Sequence, residues 1–132
     1  MSPEEALYRY RAKIIRVIDG DTVEAEIDHG CSIFSKRKLR LSGMDAPELR
    51  GESRVEGMAS ASHLIKLITS NCLNLDSHGK LGTRLAEIYI QTIRDKTGKY
   101  GRYIAILWGI DKDGELIDIN QSMIDDGFAK AN

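Results

Sequence analysis

The sequence predicts a small, mainly β protein with helices, an α+β domain whose strands form a barrel. Short segments in which apolar and polar residues alternate are separated by glycine-containing turns, as is typical of barrel strands. One stretch, residues 53–71, has instead the composition of an amphipathic helix. A chain of 132 residues can bury a core as one domain, which we expect to span residues 1–132. These features alone leave several α+β folds open.

The first forty residues predict three strands joined by tight turns. Within residues 8–18 the apolar positions change parity near Ile14, which predicts a bulge or a sharp bend in the first strand. Asp19-Gly20 is a strong turn signal. Apolar residues then alternate with glutamates over residues 23–27, as in a half-buried strand. A third strand is predicted over residues 33–41.

Residues 53–71 predict the long helix. Ser53 and Glu56 have the spacing of a capping box, and Asn71 is a plausible C-terminal stop. Helical spacing predicts an inner face made of Val55, Met58, Ser62, Ile65 and Ile68.

The second half predicts further short elements. Strands are expected to begin at Cys72 and to cover residues 85–93 and 103–108, with a hairpin turn at residues 111–114. A short helix is predicted over residues 120–126, closed by the glycine that follows it. Five aromatic residues are expected in the core: Tyr8, Tyr10, Tyr103, Trp108 and Phe128. The three histidines are scattered and are expected at the surface, and the two cysteines are expected as free thiols rather than as a disulfide.

Charge is balanced overall but unevenly distributed. The formal net charge is −1, whereas basic residues cluster at 36–40 and 94–102 and acidic residues at 111–126. A basic groove on a near-neutral protein would bind nucleic acid more weakly and with more salt sensitivity than a strongly basic surface. No apolar run approaches membrane-spanning length, so no membrane association is expected.

The N-terminal residues carry no visible targeting signal. Residues 1–5 are acidic and lack the apolar stretch of a secretory leader. We therefore expect a cytoplasmic protein, or one encoded by a phage or mobile element. Secretion stays open if a leader was removed.

Five residues are the candidates for the chemistry, four of them in turns and loops and one, Arg40, near the end of the predicted third strand. Asp21 and Asp45 are carboxylates of the kind that bind hard cations, and Arg40 and Arg102 are suited to phosphate. Glu48 is a candidate general base, since the preceding proline stiffens its loop. Together they predict a metal-dependent phosphodiesterase. The alternative is that the aspartates are turn residues whose side chains bond their own backbone.

Three motifs in this order resemble the staphylococcal nuclease family over about residues 10–129. They are Asp19-Gly20-Asp21-Thr22-Val23, Arg40-Leu41-Ser42-Gly43-Met44-Asp45-Ala46-Pro47-Glu48 and Tyr100-Gly101-Arg102. The resemblance implies a five-stranded OB-type barrel with one long amphipathic helix and a short C-terminal helix. One departure is Gly98, where members of that family usually carry aspartate.

The resemblance also implies an activity and its residues. Ca²⁺ would be held by Asp21, Asp45 and the backbone carbonyl of Ala46, while Arg40, Glu48 and Arg102 would be catalytic and Lys99 and Tyr100 would contact the nucleotide. The implied reaction is hydrolysis of DNA, with RNA as a further expected substrate, by a monomer that leaves 3′-phosphate products. The alternative is a catalytically silent OB module that binds nucleic acid or a protein.

Overall fold

The computed structural model describes residues 2–76, 85–97 and 103–132. Its elements, in chain order, are α1 (Pro3–Ala6), β1 (Arg9–Asp19), β2 (Thr22–Asp28), β3 (Phe34–Leu41), β4 (Met44–Asp45), a 3₁₀ turn (Gly51–Ser53), α2 (Arg54–Ser70), β5 (Asn74–Asp76), β6 (Leu85–Thr97), β7 (Tyr103–Ile110), β8 (Leu116–Asp118), α3 (Ile119–Asp125) and β9 (Lys130–Ala131).

The strands close into a barrel. Seven of the described strands form one sheet in the order β5-β6-β1-β2-β3-β7-β8, in which β6 also pairs with β7, while β4 pairs with β9 in a second sheet. That pairing closes β6, β1, β2, β3 and β7 into a five-stranded barrel, with β3 and β7 parallel. A long helix, α2, and a short C-terminal helix, α3, complete an OB-type arrangement. The predicted fold class is confirmed.

The first strand is bent as the sequence predicts. The pairing of β1 with β2 shifts register between Ile14 and Arg16, and again between Val17 and Asp19. Up to Ile14, β1 also pairs with β6. The bulges let one long strand serve both neighbours and turn the barrel wall.

The core lies inside the barrel and under α2. The alternating residues of β2, Val23, Ala25 and Ile27, are buried as predicted, and Leu39 and Leu41 of β3 join them. Three of the five aromatic residues predicted for the core are not in it, since Tyr8 and Tyr103 are exposed and Trp108 is half-buried on the outer face of β7. Tyr10 and Phe128 do pack against the core. Both cysteines are free thiols.

The helix α2 is confirmed, but its predicted inner face is wrong except at Ile68, which is buried. The buried residues are Gly57, Ser60, Leu64 and Ile68. The exposed residues of the predicted stripe are Val55, Met58, Ser62 and Ile65. Val55 alone is 78% exposed. The buried positions have helical spacing, but they lie on a different side of α2 from the predicted stripe. Two of them, Gly57 and Ser60, are small residues that let the neighbouring loops pack closely against the helix.

The start of α2 differs from the predicted capping box. The hydroxyl of Ser53 makes no cap to the helix. It donates instead to the carbonyls of Glu48, at 3.0 Å, and Arg50, at 3.1 Å. Ser53 therefore braces the loop before the helix. The helix ends at Ser70 with Asn71 as its C-cap, in agreement with the predicted stop.

The short C-terminal helix is confirmed and fixes the end of β3. Asp118 caps it by accepting from the backbone N–H of Gln121 at 3.0 Å, and Gly127 follows it with a positive φ of 84°. The side chain of Asn120 is buried. It donates to the carbonyls of Ser42 (2.9 Å) and Ala105 (3.1 Å) and accepts from the N–H of Leu107 (3.1 Å). These bonds tie α3 to β7 and to the loop after β3.

We predict that Asn120→Ala lowers the free energy of unfolding by about 2 kcal/mol, since it leaves buried backbone groups without partners. Chemical denaturation measures this loss. Gln121→Ala is the matched control, because Gln121 is the exposed neighbour on the same helix and should cost no more than about 0.5 kcal/mol. Equal stabilities for the two variants would show that Asn120 does not anchor α3.

No helix in the described ranges is long and apolar enough to cross a membrane.

Candidate functional site

Two loops bring the predicted carboxylates together at one end of the barrel. Asp21 lies in the turn between β1 and β2, and the β2–β3 register pairs its neighbour Thr22 with Arg40. The N–H of Leu41 donates to the carbonyl of Asp21 at 2.8 Å, which fixes the turn against β3. Asp45 ends β4, where it pairs with Lys130 of β9. The C-terminal strand therefore holds the second carboxylate in place.

Arg40 joins the two carboxylates. Its Nη1 lies 3.0 Å from Oδ2 of Asp21 and also donates to the carbonyl of Asp21 at 3.3 Å. Its Nη2 is in close contact with Oδ1 of Asp45. The side chains of Arg40 and Asp21 are only 20% and 12% exposed, so this pair is largely shielded from water, whereas the Asp45 side chain is 56% exposed. Both carboxylates thus contact the same positively charged group, the guanidinium of Arg40.

Asp21 is the most constrained group of the site. Its Oδ1 accepts from the hydroxyl of Thr22 at 3.0 Å, and its Oδ2 accepts from the N–H of Ala46 at 2.9 Å. Asp19 accepts from the N–H of Asp21 at 3.0 Å, the turn contact expected of Asp19. Burial, assisted by the adjacent Asp19 carboxylate, raises the pKa of Asp21 to about 6, against the opposing pull of the Ala46 N–H and Arg40.

This raised pKa predicts a pH dependence of stability in EDTA. The folded state binds the Asp21 proton more tightly than the unfolded state, so this group's contribution to stability is present below about pH 4 and is lost as the pH rises through about 6. The free energy of unfolding of the parent protein, minus that of Asp21→Asn, should fall between about pH 4 and pH 6 and stay constant above that range. Denaturation midpoints of both proteins from about pH 3 to 8 measure the difference. A difference that is flat or rises with pH would contradict the assignment.

Two glycines, Gly20 and Gly57, allow the turn that carries Asp21 and the loop after Asp45 to pack against α2. The sequence did not reveal this role of the glycines. A Cβ at Gly20 would lie 2.7 Å from the Cβ atoms of both Ala46 and Ser60. A Cβ at Gly57 would lie 2.3 Å from the carbonyl oxygen of Glu48. The site loops are therefore seated directly on the helix backbone. The Asp19-Gly20 dipeptide predicted a turn, but glycine is required here because a side chain would clash with Ala46 and Ser60.

Glu48 lies in the same loop as Asp45 and is exposed. Its carbonyl is fixed by Ser53 and by the close approach of Gly57. Among the described residues, no hydrogen bond or ion pair joins its carboxylate to Asp21, Asp45 or Arg40. The backbone of Glu48 is held while its side chain faces solvent, where a substrate could meet it.

Three predicted residues are not described. Lys99, Tyr100 and Arg102 lie outside the described ranges, and their roles stay predictions. Within the described ranges there is no group of three or more histidine, cysteine or acidic side chains that could hold a metal. The predicted ligand set, two carboxylates and one backbone carbonyl, does not require such a group.

One histidine is not the simple surface residue expected. The ring of His63 on α2 stacks on Phe128 at 4.0 Å, and its Nε2 lies 2.7 Å from Oδ2 of Asp126. The hydroxyl of Ser60 donates to the carbonyl of Phe128 at 2.6 Å. These contacts fasten the chain after α3 to α2, beside the Asp45 loop. His29 is exposed as expected, and His78 lies outside the described ranges.

Comparison with known proteins adds one relative. No family model matches this sequence. An uncharacterized protein of Methanocaldococcus jannaschii is 25% identical over 127 residues, a match that covers 92% of this chain and 58% of that protein. The chain therefore spans less than two thirds of the length of this relative, whose description states no activity.

Proposed function

We propose that the protein is a Ca²⁺-dependent endonuclease that hydrolyses phosphodiester bonds of DNA, and of RNA by the same chemistry. The observation that carries this proposal is the convergence of Asp21 and Asp45 on Arg40 at one end of the barrel, with Glu48 in the adjoining loop. Carboxylates, a guanidinium and a solvent-facing glutamate are the groups needed to hold a hard cation, a phosphate and a water.

The residues present fit a hard cation. Asp21 and Asp45 offer oxygen ligands to one point, and the raised pKa of Asp21 reflects a buried carboxylate that its present partners do not fully stabilise. We propose that these two side chains and the carbonyl of Ala46 hold Ca²⁺. When bound, the ion would supply positive charge to the phosphate and acidify a coordinated water.

Arg40 has donors to spare for a phosphate. A guanidinium carries five N–H donors, and the described contacts of Arg40 use at most three of them. In the proposed complex Arg40 turns toward the phosphoryl oxygens, where a planar fork bonds two oxygens as charge develops. Arg102 is proposed as the second half of this clamp, on the family resemblance alone.

Glu48 is proposed as the base that accepts a proton from the attacking water. Its exposed carboxylate is attached to a backbone held by Ser53 and Gly57, which limits the space that the carboxylate samples. Such a positioned base typically contributes about 10²- to 10⁴-fold to the rate. Lys99 and Tyr100 are proposed as nucleotide contacts, again on the resemblance.

The basic residues of β3 support a nucleic-acid path to the site. Lys36, Arg37 and Lys38 are exposed on the strand that also carries Arg40. Lys36 and Lys38 share the face of Arg40, and Arg37 lies on the opposite face. The guanidinium of Arg37 lies 5.9 Å from the ring centre of Tyr103, a cation–π contact. Basic groups beside an aromatic ring suit a phosphate backbone and its bases.

A second candidate is the catalytically silent OB module. The observation in its favour is that Arg40 contacts both carboxylates, so the three side chains already form a connected network that can serve as a structural element. This candidate predicts that the acidic residues can be replaced without loss of any metal-dependent property. The two candidates therefore differ in Ca²⁺ binding, which can be measured without cleavage.

We predict that Asp45→Ala weakens Ca²⁺ binding at least about tenfold and lowers cleavage with it, because one of two carboxylate ligands is removed. Isothermal calorimetry measures the affinity. Asp113→Ala is the control, since Asp113 is an exposed aspartate in the β7–β8 turn. Unchanged Ca²⁺ affinity in Asp45→Ala would remove Asp45 from the ligand set and favour the silent module.

A further inference from the structure

A row of side chains crosses the outer face of the barrel far from the carboxylates. The strand registers pair Arg11 of β1 with Tyr89 of β6, Tyr89 with Trp108 of β7, and Trp108 with Asp118 of β8. Two aromatic side chains therefore lie side by side on one sheet surface. The row crosses β1 at Arg11, near the opposite end of the strand from Asp19, which leads into the turn that carries Asp21.

A cleft of about 380 Å³ opens over this row. It is lined by Arg9, Tyr10, Arg11, Tyr89, Trp108 and Leu116. The guanidinium of Arg9 lies 5.9 Å from the centre of the Trp108 ring. The indole N–H of Trp108 donates to the amide oxygen of Gln91 at 3.4 Å, which fixes the ring plane. The cleft thus has aromatic walls and a cationic rim.

Arg9 is the group that points to a ligand. Its Nε is buried and has no hydrogen-bond partner among the described residues. The other cationic side chain that lines the cleft, Arg11, is engaged, since it pairs with Glu87 at 3.4 Å. A guanidinium donor held away from water with no acceptor is costly, so an anion that draws the Arg9 side chain out of this position would relieve that cost. Phosphate accepts two parallel hydrogen bonds from a guanidinium, as a carboxylate does.

We propose that this cleft binds a nucleotide of single-stranded nucleic acid, with the base against Tyr89 and Trp108 and the adjoining phosphate on Arg9. Aromatic residues on a sheet surface accept bases of any sequence, because every base has a stacking face. The positive rim argues for a polyanion rather than an apolar peptide. The cleft is a second contact for the strand, separate from the carboxylate site and independent of Ca²⁺.

Trp108 reports on this cleft directly, because it is the only tryptophan in the chain. Oligothymidylate added in EDTA should quench its fluorescence and bind less tightly as salt rises. Arg9→Gln and Tyr89→Ala should each weaken this binding about tenfold, while Tyr89→Phe should keep it. Lys66→Gln, which removes one positive charge from the exposed face of α2, is the matched control and should bind as the parent does.

The outcomes separate this proposal from the nuclease proposal. Quenching in EDTA that Arg9→Gln weakens and Lys66→Gln does not would support the cleft, whether or not the protein cleaves DNA. Labelled oligothymidylate that binds with no change in Trp108 fluorescence, or equal affinity in Arg9→Gln, would overturn it. Sedimentation showing a dimer that Tyr89→Ala and Arg9→Gln disrupt would also overturn it, since the cleft would then be filled by a second copy.

Discussion

Glu48→Gln is expected to lower the rate of DNA cleavage about 10²- to 10⁴-fold while leaving Ca²⁺ affinity unchanged. The amide has the shape of the carboxylate but cannot accept a proton from water at neutral pH. Glu48 is exposed and makes no described contact with Asp21, Asp45 or Arg40, so its replacement should not disturb the proposed ligands or the fold. Single-turnover cleavage at saturating Ca²⁺ isolates the chemical step.

Glu52→Gln is the control for this variant. Glu52 is an exposed glutamate of the neighbouring 3₁₀ turn, so the substitution makes the same change in charge a few residues away. It should cleave as the parent does. If Glu48→Gln digests DNA as fast as Glu52→Gln, Glu48 is not the base, and another group must activate the water.

Arg40→Lys is expected to cost about 10²- to 10³-fold in kcat/KM, most of it in kcat. Lysine keeps the charge but lacks the planar fork, so it cannot bond two phosphoryl oxygens at once. It also cannot reproduce the bridge between Asp21 and Asp45 that Arg40 makes. Steady-state kinetics on a defined oligonucleotide separate kcat from KM.

Arg37→Lys provides the comparison on the same strand. Arg37 is exposed and stacks near Tyr103 rather than on the carboxylates, so lysine there should change KM modestly and kcat little. Equal kcat values for Arg40→Lys and the parent would show that Arg40 only balances the charge of Asp21 and Asp45. That result would favour the silent module.

The first strands of the barrel were predictable because their signals are local and mutually consistent, whereas the five-stranded OB-type barrel was implied by the family resemblance. Alternation over β2, the parity change near Ile14 and the turn at Asp19-Gly20 each depend on a few neighbouring residues, and the observed register follows them. The prediction for the inner face of α2 was wrong at most positions because helical periodicity assigns apolar side chains to the buried face. Gly57 and Ser60 are buried for lack of bulk, which only the partner loop reveals.

The candidate site was predictable as a set of residues but not as an arrangement. Motif spacing identified Asp21, Arg40 and Asp45, and the register brings them together. The residues that hold the loops in place were missed, since Asn120 bonds to Ser42 across 78 positions of sequence. A buried asparagine in a short helix carries no local signal of such a partner.

The ion pairs of Arg40 were also beyond the sequence. Arg40 was expected to point at a substrate phosphate, whereas it contacts the two proposed metal ligands. A guanidinium so close to two carboxylates is the most favourable counter-ion at hand when no other cation is bound. The nuclease proposal therefore requires that Arg40 leaves Asp21 and Asp45 when Ca²⁺ binds the two carboxylates and phosphate binds the guanidinium.

Cleavage of single-stranded DNA by the purified protein, with Ca²⁺ and with EDTA, tests the central claim most directly. The nuclease proposal predicts digestion that requires Ca²⁺ and is lost in Glu48→Gln. A folded protein that cleaves neither DNA nor RNA with Ca²⁺, Mg²⁺ or Mn²⁺ would contradict it.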